Sequence, residues 1–419
     1  MTEATNRSIL VVGGGMSGLS AAVEAAEAGC HVYIVEKEPY LGGRVARMNK
    51  YFPKLCPPYC GLEINFRRIK TNPLIRFFTL SEVVAISGEP GNYTVRVREN
   101  PRYVNEKCTA CGKCEEAATT TISNPFNYGI DTVKAIYLPN DFAFPFRYVL
   151  DPSVIGTEEA EKIKSACPYG AIDLDMQPRE FELVVSAIIW ATGWQPYDAE
   201  KILYYGFGKN PDVITNVMME RYASPDGPTA GQIIQPSTGQ PAKKVAFVQC
   251  AGSRDENHLP YCSGVCCLAS LKQATYVLEQ YEDAQVCIYY IDIRALGRYE
   301  DFYNRVKEDS RVSFIKGKAG EIRRTESGKT MVQAENQITG EITREEYDLV
   351  VLATGMVPTT AVDKPPVDIP ADENGFLLET NGNIGIIPAG CVKRPVDVAA
   401  CVQDATAAAL KALQLTARR

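Results

Sequence analysis

Two groups of four cysteines have the residue type and the spacing of iron–sulfur ligands. The chain has 419 residues, of which 14 are cysteine and only 2 are histidine, and this imbalance favours metal sites built from thiolates alone. Cys108, Cys111 and Cys114 follow the C-x2-C-x2-C pattern of bacterial ferredoxins, in which such a trio takes its fourth ligand from a more distant Cys-Pro. Cys167 precedes a proline and supplies that ligand. We predict one [4Fe–4S] cluster on these four cysteines, with zinc on the same thiolates as the alternative.

The second group consists of Cys250, Cys262, Cys266 and Cys267 and lies where a pyridine-nucleotide domain would bind its cofactor. After a strand predicted over residues 244–249, the chain has no G-x-G-x-x-G motif. Without those glycines the backbone cannot cradle a diphosphate in the usual way, which argues against NAD(P) binding here. Thiolates at the start of the following helix would be stabilised by its dipole. We predict a second [4Fe–4S] cluster on this group, with four packed or redox-active thiols as the alternative.

The remaining cysteines divide into one pair and four single residues. Cys56 and Cys60 come soon after a Gly-Gly-Arg sequence, where glutathione-reductase relatives place a redox disulfide near the flavin. Their C-x3-C spacing differs from that motif, and two interpretations stay open, flavin-proximal thiols and packing residues. The single cysteines lie in apolar or small-residue surroundings and are predicted to be buried as small hydrophobic side chains; they are Cys30, Cys287, Cys391 and Cys401.

The start of the chain has the pattern of a dinucleotide-binding βαβ unit. A strand is predicted over residues 8–12, an Ala-rich helix over 19–28 and a second strand over 31–35. Between the first strand and the helix, Gly13 permits a tight turn, Gly15 lets the backbone approach a pyrophosphate, and Gly18 lets helix and strand pack closely. Glu36 follows the second strand and is placed to accept a ribose hydroxyl.

Later segments indicate FAD and a second domain of the same kind. Gly43 and Arg44 lie in a Gly-Gly-Arg sequence typical of FAD domains of the glutathione-reductase type. An apolar strand followed by Ala-Thr-Gly occurs twice, at residues 183–193 and 348–355, as expected where such a flavoprotein crosses between two domains. Gly390 precedes a helical tail that would close the FAD domain.

These elements predict an α/β fold of two nested, Rossmann-like three-layer domains of the glutathione/thioredoxin-reductase type, with a ferredoxin-like insertion. The FAD-binding domain is expected in three parts, residues 1–100, 179–240 and 358–419. The ferredoxin-like insertion is expected over 101–178, and the second Rossmann-like domain, with a cluster in place of NAD(P), over 241–357.

Composition excludes several other classes of protein. The net charge is −7 at pH 7 and no run of basic residues is present, which argues against nucleic-acid binding. The longest apolar stretch, residues 183–191, is far shorter than the roughly 20 residues of a membrane span. The first residues have no apolar signal core, and we therefore expect a cytoplasmic protein.

The cysteine-rich segments resemble the A-type subunit of heterodisulfide reductase, in particular the short form found in sulfur-oxidising heterodisulfide-reductase-like complexes. The most specific matches are residues 249–255 and 261–267, and further matches lie at 11–15, 35–37, 102–108, 124–129, 134–137 and 166–168. The resemblance implies FAD in the first domain and a cluster near the flavin on the second cysteine group. It also implies an electron hub in sulfur-compound oxidation, with B- and C-type subunits, lipoate-binding proteins and a second copy of the chain as partners.

The methanogen-type member of this family is longer than the present chain. It has an added N-terminal part and a C-terminal ferredoxin module, and we expect neither within 419 residues. The ferredoxin-like insertion here also has fewer cysteines than its ferredoxin counterparts. Both departures argue against flavin-based electron bifurcation of the methanogen kind.

We predict an iron–sulfur flavoprotein oxidoreductase that converts two-electron flavin chemistry into one-electron cluster transfer. The alternatives are an NAD(P)H-dependent disulfide oxidoreductase that uses Cys56 and Cys60, and a non-catalytic relay or scaffold component. The residues predicted to bind FAD are Gly13, Gly15, Gly18, Glu36, Lys37, Gly43, Arg44, Thr192, Gly193 and Gly390.

Overall fold

The computed structural model describes residues 7–52, 54–380 and 384–417. Of these, the residues in 1–194, 358–394 and 398–419 form one compact unit, and those in 195–357 and 395–397 form a second. Among the described residues, no helix is both long and apolar enough to cross a membrane.

The helices of the described chain, in order, are α1 (Met16–Glu27), α2 (Pro58–Thr71), α3 (Lys113–Ala117), α4 (Glu158–Ala166), α5 (Asn216–Ala223), α6 (Cys266–Gln280), α7 (Tyr299–Glu308) and α8 (Val398–Ala417). The strands are β1 (Ser8–Val12), β2 (His31–Val35), β3 (Ile75–Phe78), β4 (Ser81–Glu89), β5 (Asn92–Glu99), β6 (Thr121–Ser123), β7 (Thr132–Lys134), β8 (Ile136–Tyr137), β9 (Val149–Leu150), β10 (Arg179–Val185), β11 (Ala187–Trp190), β12 (Trp194–Pro196), β13 (Val213–Thr215), β14 (Lys244–Ala251), β15 (Gln285–Tyr290), β16 (Val312–Lys316), β17 (Ala319–Arg324), β18 (Thr330–Glu335), β19 (Ile342–Tyr347), β20 (Leu349–Thr354), β21 (Met356–Pro358) and β22 (Ile386–Pro388).

The first unit consists of three layers around a parallel sheet. The sheet has the strand order β22-β11-β1-β2-β3. Its central strands are apolar on both faces because both faces are covered, as is usual for parallel sheets. Ile9 and Val11 of β1 belong to the core that α1 and α8 complete, whereas Leu10 packs toward the antiparallel sheet β10-β5-β4.

The segment from 101 to 178 forms a small core of its own within the first unit. Two short strand pairs, β6-β7 and β8-β9, accompany α3 and α4. Val104 and Ile172 form a β-bridge near the two ends of the segment, and both are buried with Ile136 and Leu150. Because Cys114 lies in this core and Cys108 and Cys167 pack against it, the apolar cluster positions the first cysteine group.

The second unit repeats the parallel-sheet design. Its strand order is β13-β20-β14-β15-β16, and an antiparallel sheet, β17-β18-β19, accompanies it. This unit begins at Gln195, not at residue 241 as we expected. The reason is β13, whose residues Val213 to Thr215 pair in parallel with β20 and so belong to the second sheet.

A buried carboxylate holds the start of the second unit together. Asp212 is fully buried and accepts hydrogen bonds from Gln235 Nε2 at 2.9 Å and from the backbone N–H and hydroxyl of Ser237 at 2.8 and 2.7 Å. We expect Asp212→Ala to lower the free energy of unfolding by about 3 kcal/mol, because it removes the buried acceptor of three hydrogen bonds. Urea denaturation measures the loss.

The matched control is Asp283→Ala, which removes an exposed carboxylate paired with Lys243. An exposed ion pair contributes about 1 kcal/mol or less. Equal destabilisation by the two variants would contradict the role assigned to Asp212.

Candidate functional site

The loop between β1 and α1 is built from close backbone approaches that only glycine allows. Gly13 has φ +102°, and a Cβ there would lie 2.4 Å from the carbonyl oxygen of Ala191 in the neighbouring chain segment. A Cβ on Gly18 would lie 1.9 Å from the Gly13 carbonyl oxygen. Gly15 differs, because a Cβ there would meet only the Cα of Gly43, at 3.9 Å. Gly13 and Gly18 therefore allow neighbouring backbone segments to pack closely, whereas Gly15 leaves space at the start of α1.

A second glycine turn faces this loop. The Gly42 N–H donates to the Gly14 carbonyl at 2.8 Å. A Cβ on Gly43, whose φ is +56°, would lie 2.8 Å from the Cα of Gly15. The two turns thus form a cleft lined by backbone, beside the N-terminus of a helix. Such a surface binds phosphate groups through backbone N–H groups and the helix dipole.

Glu36 is held against the same loop. Its carboxylate accepts the backbone N–H of Gly14 at 2.6 Å and that of Glu38 at 2.8 Å. Burial raises the pKa of Glu36 to about 7. The predicted ribose-binding acid therefore lies at the end of β2, next to the glycine loop.

Arg44 and Lys37 lie in different surroundings. Arg44 donates from Nε to the Trp194 carbonyl and from Nη1 to the Tyr128 hydroxyl, and its guanidinium lies 5.1 Å from the centre of the Trp194 ring. Lys37 is exposed and forms an ion pair with Asp363 at 3.0 Å. Arg44 is thus fixed by the protein, whereas Lys37 is a surface residue engaged with another chain segment.

Thr192, Gly193 and Gly390 lie at the ends of strands β11 and β22. The buried Thr192 hydroxyl has no hydrogen-bond partner among the described residues, although its backbone carbonyl accepts from the Thr359 hydroxyl at 3.0 Å. A Cβ on Gly390 would lie 2.1 Å from Ser17 Oγ. The orphaned hydroxyl and the backbone-lined cleft both fit a dinucleotide cofactor in this unit.

The first cysteine group is gathered around one buried thiol. Cys114 is buried, Cys108 and Cys167 are half-buried, and Cys111 is exposed in the intervening loop. Burial, followed by the nearby Cys108 and Cys167 thiols, raises the pKa of Cys114 to about 11. Cys167 Sγ accepts a hydrogen bond from the Ala171 N–H at 3.3 Å. The structure thus brings three of the four predicted ligands together and places the fourth in the adjoining loop.

The second cysteine group is buried more deeply. Cys250 lies near the end of β14, where the pairing with β20 is irregular, and has φ +55°. Cys266 and Cys267 begin α6. Burial raises the pKa of Cys266, and the other three thiols of the group raise it further. The pKa of Cys250 rises to about 11, again chiefly through burial. Buried thiols of this kind become thiolates when a bound cation stabilises the negative charge, which fits a metal-ligand set.

The arrangement of the cysteines does not match a site for a single metal ion in either group. Within residues 7–52, 54–380 and 384–417, no three His, Cys, Asp or Glu side chains are arranged to hold a single metal ion. In a [4Fe–4S] cluster each cysteine binds a different iron atom, and the four thiolates need not converge on one point. The two ligand sets remain predictions.

Two features of the second group were missed from sequence. Gln249, directly before Cys250, is buried, and neither its Oε1 nor its Nε2 has a hydrogen-bond partner in the described chain. Its amide is a donor of the kind that hydrogen-bonds to cluster sulfurs. Asp292 follows β15 at the position of a ribose-binding acid, but Arg254 from the loop after β14 forms an ion pair with it. The only sequence signal for this pairing is the order of strand β14, the loop with Arg254, strand β15 and Asp292.

Cys56 and Cys60 flank the start of α2. Cys60 is exposed and Cys56 is half-buried, and the Cys56 carbonyl accepts the Tyr51 N–H at 3.0 Å. Burial raises the pKa of Tyr51, and both thiols contribute to the rise. Both cysteines therefore lie near one tyrosine, and whether they serve a flavin stays a prediction.

Comparison with known proteins identifies the relatives of this chain. Residues 8–54 match the family model described as FAD dependent oxidoreductase. The chain is 40% identical over 425 residues to the A-type subunit of the Ferredoxin/F(420)H(2)-dependent CoB-CoM heterodisulfide reductase of Methanosarcina acetivorans, and the match covers 98% of this chain. Over nearly its whole length the chain is therefore similar to A-type subunits of heterodisulfide reductases. Its N-terminal segment is that of an FAD-dependent oxidoreductase, which supports the predicted cofactor.

A second relative gives the same result. The A-type subunit of the H(2):CoB-CoM heterodisulfide,ferredoxin reductase of Methanothermobacter marburgensis is 35% identical over 416 residues, or 96% of this chain. The chain spans 53% of the length of the first relative and 63% of the second. The similarity therefore extends over nearly the whole chain and over only part of each relative.

Solved structures confirm the predicted α/β fold with two Rossmann-like domains. Thioredoxin reductase from T. acidophilum superposes with a TM-score of 0.54 at 16% identity and covers 98% of this chain and 100% of its own. The Lactococcus lactis enzyme gives 0.52 at 14% identity, covering 98% and 99%. This likeness concerns the fold alone.

The open cleft at Gly15 gives a test of cofactor binding. Gly15 has extended backbone angles, with φ −78°, and a Cβ there meets no atom closer than 3.9 Å. We expect Gly15→Ala to retain the wild-type melting temperature but to bind FAD at least about tenfold more weakly, since the methyl group occupies the space through which the pyrophosphate approaches. Flavin fluorescence titration measures the affinity.

Gly320→Ala is the control, because its added methyl group also meets no atom closer than 3.8 Å and lies in the second unit. It should leave FAD affinity unchanged. Wild-type affinity in Gly15→Ala would contradict the assignment of the cleft.

Glu36 gives a test based on pH. Its pKa lies near 7 in the folded chain against an ordinary value of 4.5, and the folded state therefore binds more protons than the unfolded state between these values. As the pH rises from about 4.5 to about 7, the stabilising contribution of Glu36 is lost. We expect this loss to lower the free energy of unfolding of the flavin-free chain by about 3 kcal/mol. Urea denaturation of wild type and Glu36→Gln at several pH values isolates the contribution. Parallel curves for the two proteins would refute it.

Proposed function

We propose that the chain is an FAD- and iron–sulfur-dependent electron-transfer component of a heterodisulfide-reductase-like complex. The observation that carries this proposal is the second cysteine group, four neighbouring thiols located where a two-domain flavoprotein would have its pyridine-nucleotide loop. Its counterpart in the first unit is the backbone-lined cleft between Gly15 and Gly43. One domain is thus equipped for a dinucleotide and the other for a thiolate-bound cofactor.

The residues of the first unit would hold FAD through backbone and one acid. Gly13, Gly15 and Gly18 shape the loop that receives the diphosphate at the N-terminus of α1, and Glu36 accepts a ribose hydroxyl. The Thr192 hydroxyl supplies a further polar contact. When bound, FAD supplies one- and two-electron chemistry and the clusters supply one-electron transfer. No side-chain acid or base is assigned a catalytic role.

The residues of the second unit would hold a cluster and exclude NAD(P). Cys250, Cys262, Cys266 and Cys267 are the proposed ligands. The Arg254–Asp292 ion pair supports this assignment, because it engages the acid that would otherwise meet a ribose. The same ion pair disfavours the alternative of an NAD(P)H-dependent disulfide oxidoreductase.

The segment 101–178 is proposed as a ferredoxin-like insertion with its own cluster. Supporting this, Cys114 is buried within the small core of the segment, and Cys108 and Cys167 pack against that core. The Cys111 thiol, exposed in the loop, would complete the set. With two clusters and FAD, the chain would accept two electrons from a donor and pass them on one at a time to one-electron carriers.

The physiological setting is proposed from the sequence resemblance. We propose sulfur-compound oxidation in the cytoplasm, with B- and C-type subunits as electron partners, lipoate-binding proteins as substrate carriers, and a homodimer as the assembly. Both relatives are A-type subunits of heterodisulfide reductases, which supports the B- and C-type partners. Copurification from the native host under anaerobic conditions would identify them.

Metal and flavin analysis tests the cofactor set. Anaerobically purified protein should contain about eight iron atoms, because each [4Fe–4S] cluster has four, and about one FAD per chain. Cys262→Ala should keep the flavin and lose about half of the iron, since Cys262 is a ligand of only one proposed cluster. Inductively coupled plasma mass spectrometry and flavin absorbance measure both.

Cys287→Ala is the matched control, because Cys287 is a buried thiol of the second unit outside both ligand sets. It should retain the full iron content. Stoichiometric zinc in place of iron would overturn the electron-transfer function, and unchanged iron in Cys262→Ala would overturn the second ligand set.

A further inference from the structure

Two buried cysteines outside both proposed ligand sets lie in contact with each other. The Sγ atoms of Cys391 and Cys401 are 3.6 Å apart, and the two residues are 5% and 8% exposed. Cys391 lies in the turn after β22, and Cys401 lies in the first turn of α8. The sequence predicts small hydrophobic packing residues at both positions, and both are indeed buried. The contact between their sulfur atoms is a property of the folded chain.

The surroundings hold these two segments at a fixed separation. Next to Cys391, Gly390 has φ +71° and packs so closely on Ser17 that a Cβ would lie 2.1 Å from its hydroxyl oxygen. The same hydroxyl donates to the Cys401 carbonyl at 3.3 Å. The first turn of α1 therefore contacts both cysteine-bearing segments and keeps them together.

Ion pairs reinforce the same arrangement from the α8 side. Asp404, one turn beyond Cys401, lies 3.5 Å from Lys393 Nζ and 3.1 Å from Arg394 Nη2. Both basic residues directly follow the turn that contains Cys391. The loop between the two cysteines is thus anchored at both ends, and the sulfur atoms are held near each other without a covalent bond.

We propose that Cys391 and Cys401 are a redox-modification site that oxidises to an intrachain disulfide. A disulfide has a sulfur–sulfur distance of about 2.05 Å, so the two atoms need to approach by only about 1.5 Å. The oxidant is a small disulfide such as oxidised glutathione. One cysteine thiolate attacks it and releases one thiolate, and the second cysteine thiolate then attacks the mixed disulfide and releases the other. The two cysteines lose two electrons and two protons, and two glutathione thiols are formed.

Other buried cysteines of the chain have different neighbours. Cys30 is equally buried in the first unit, but its sulfur contacts the Thr416 hydroxyl, at 3.8 Å. The thiol of Cys287 contacts hydroxyl groups, including those of Tyr289 and Tyr347. Burial of a cysteine in this chain therefore does not by itself bring it into the kind of contact with a second cysteine that Cys391 and Cys401 make. The disulfide would join the turn after β22 to α8 covalently and would stabilise the fold by restricting the unfolded chain.

Disulfide mapping of the full, cofactor-loaded protein tests the proposal. Protein treated anaerobically with oxidised glutathione is alkylated and digested with trypsin, whose cleavage after Lys393 places the two cysteines in separate peptides. We expect mass spectrometry to find these peptides joined in most of the protein. The melting temperature should rise, and dithiothreitol should reverse both changes. Iron and flavin counts before and after treatment separate this result from the proposed cofactor function.

Two variants decide the assignment. Cys401→Ala should lose the joined peptides and the rise in melting temperature, whereas Cys30→Ala should retain both. If Cys401→Ala does not fold, Cys391→Ala serves in its place. The disulfide mapping of the wild-type protein tests the proposal without either variant. Recovery of Cys391 and Cys401 as unmodified thiols, or only as mixed disulfides with glutathione, would overturn the proposal.

Discussion

The close crossing of backbone at Gly13 is the constraint on which the first unit depends. At this point the turn after β1 passes the end of β11 so closely that any side chain would strike the Ala191 carbonyl. Gly18 then packs against the Gly13 carbonyl, and Gly43 packs against Gly15. These contacts bring three backbone segments together without side chains between them. The cleft, the position of Glu36 and the N-terminus of α1 all follow from that arrangement.

The second unit has the same kind of parallel sheet but builds its first loop differently. A non-glycine residue, Cys250, takes positive φ at +55°, and Gly252 packs against the ring of Tyr197. Arg254 pairs with Asp292, the acid after β15. Thiols and an ion pair therefore occupy the positions at which the first unit has its glycine loop and Glu36. Burial of these thiols raises their pKa, and their negative charge becomes stable only beside a cation.

The sequence by itself determined the fold class and the elements around the glycine loop of the first unit. Strong apolar runs predicted β1 and β2 at the observed residues, because a strand buried on both faces carries few polar side chains. The glycine spacing predicted the dinucleotide loop, because glycine is needed where backbone segments approach closely. The cysteine spacings predicted two groups, and the structure brings together all four thiols of the second group and three of the four thiols of the first. Such signals are local, since they depend on neighbouring residues in the chain.

The tertiary structure alone decided features that join distant residues. The short strand Val213–Thr215 has too little sequence pattern to reveal its pairing with β20, and the boundary of the second unit was therefore wrong from sequence. Arg254 and Asp292 lie far apart in sequence and meet only because β14 and β15 are neighbours. The contact between Cys391 and Cys401 likewise depends on the first turn of α1, which packs against both segments. Spacing in the chain reports which side chains a segment can present, and packing decides which of them come into contact.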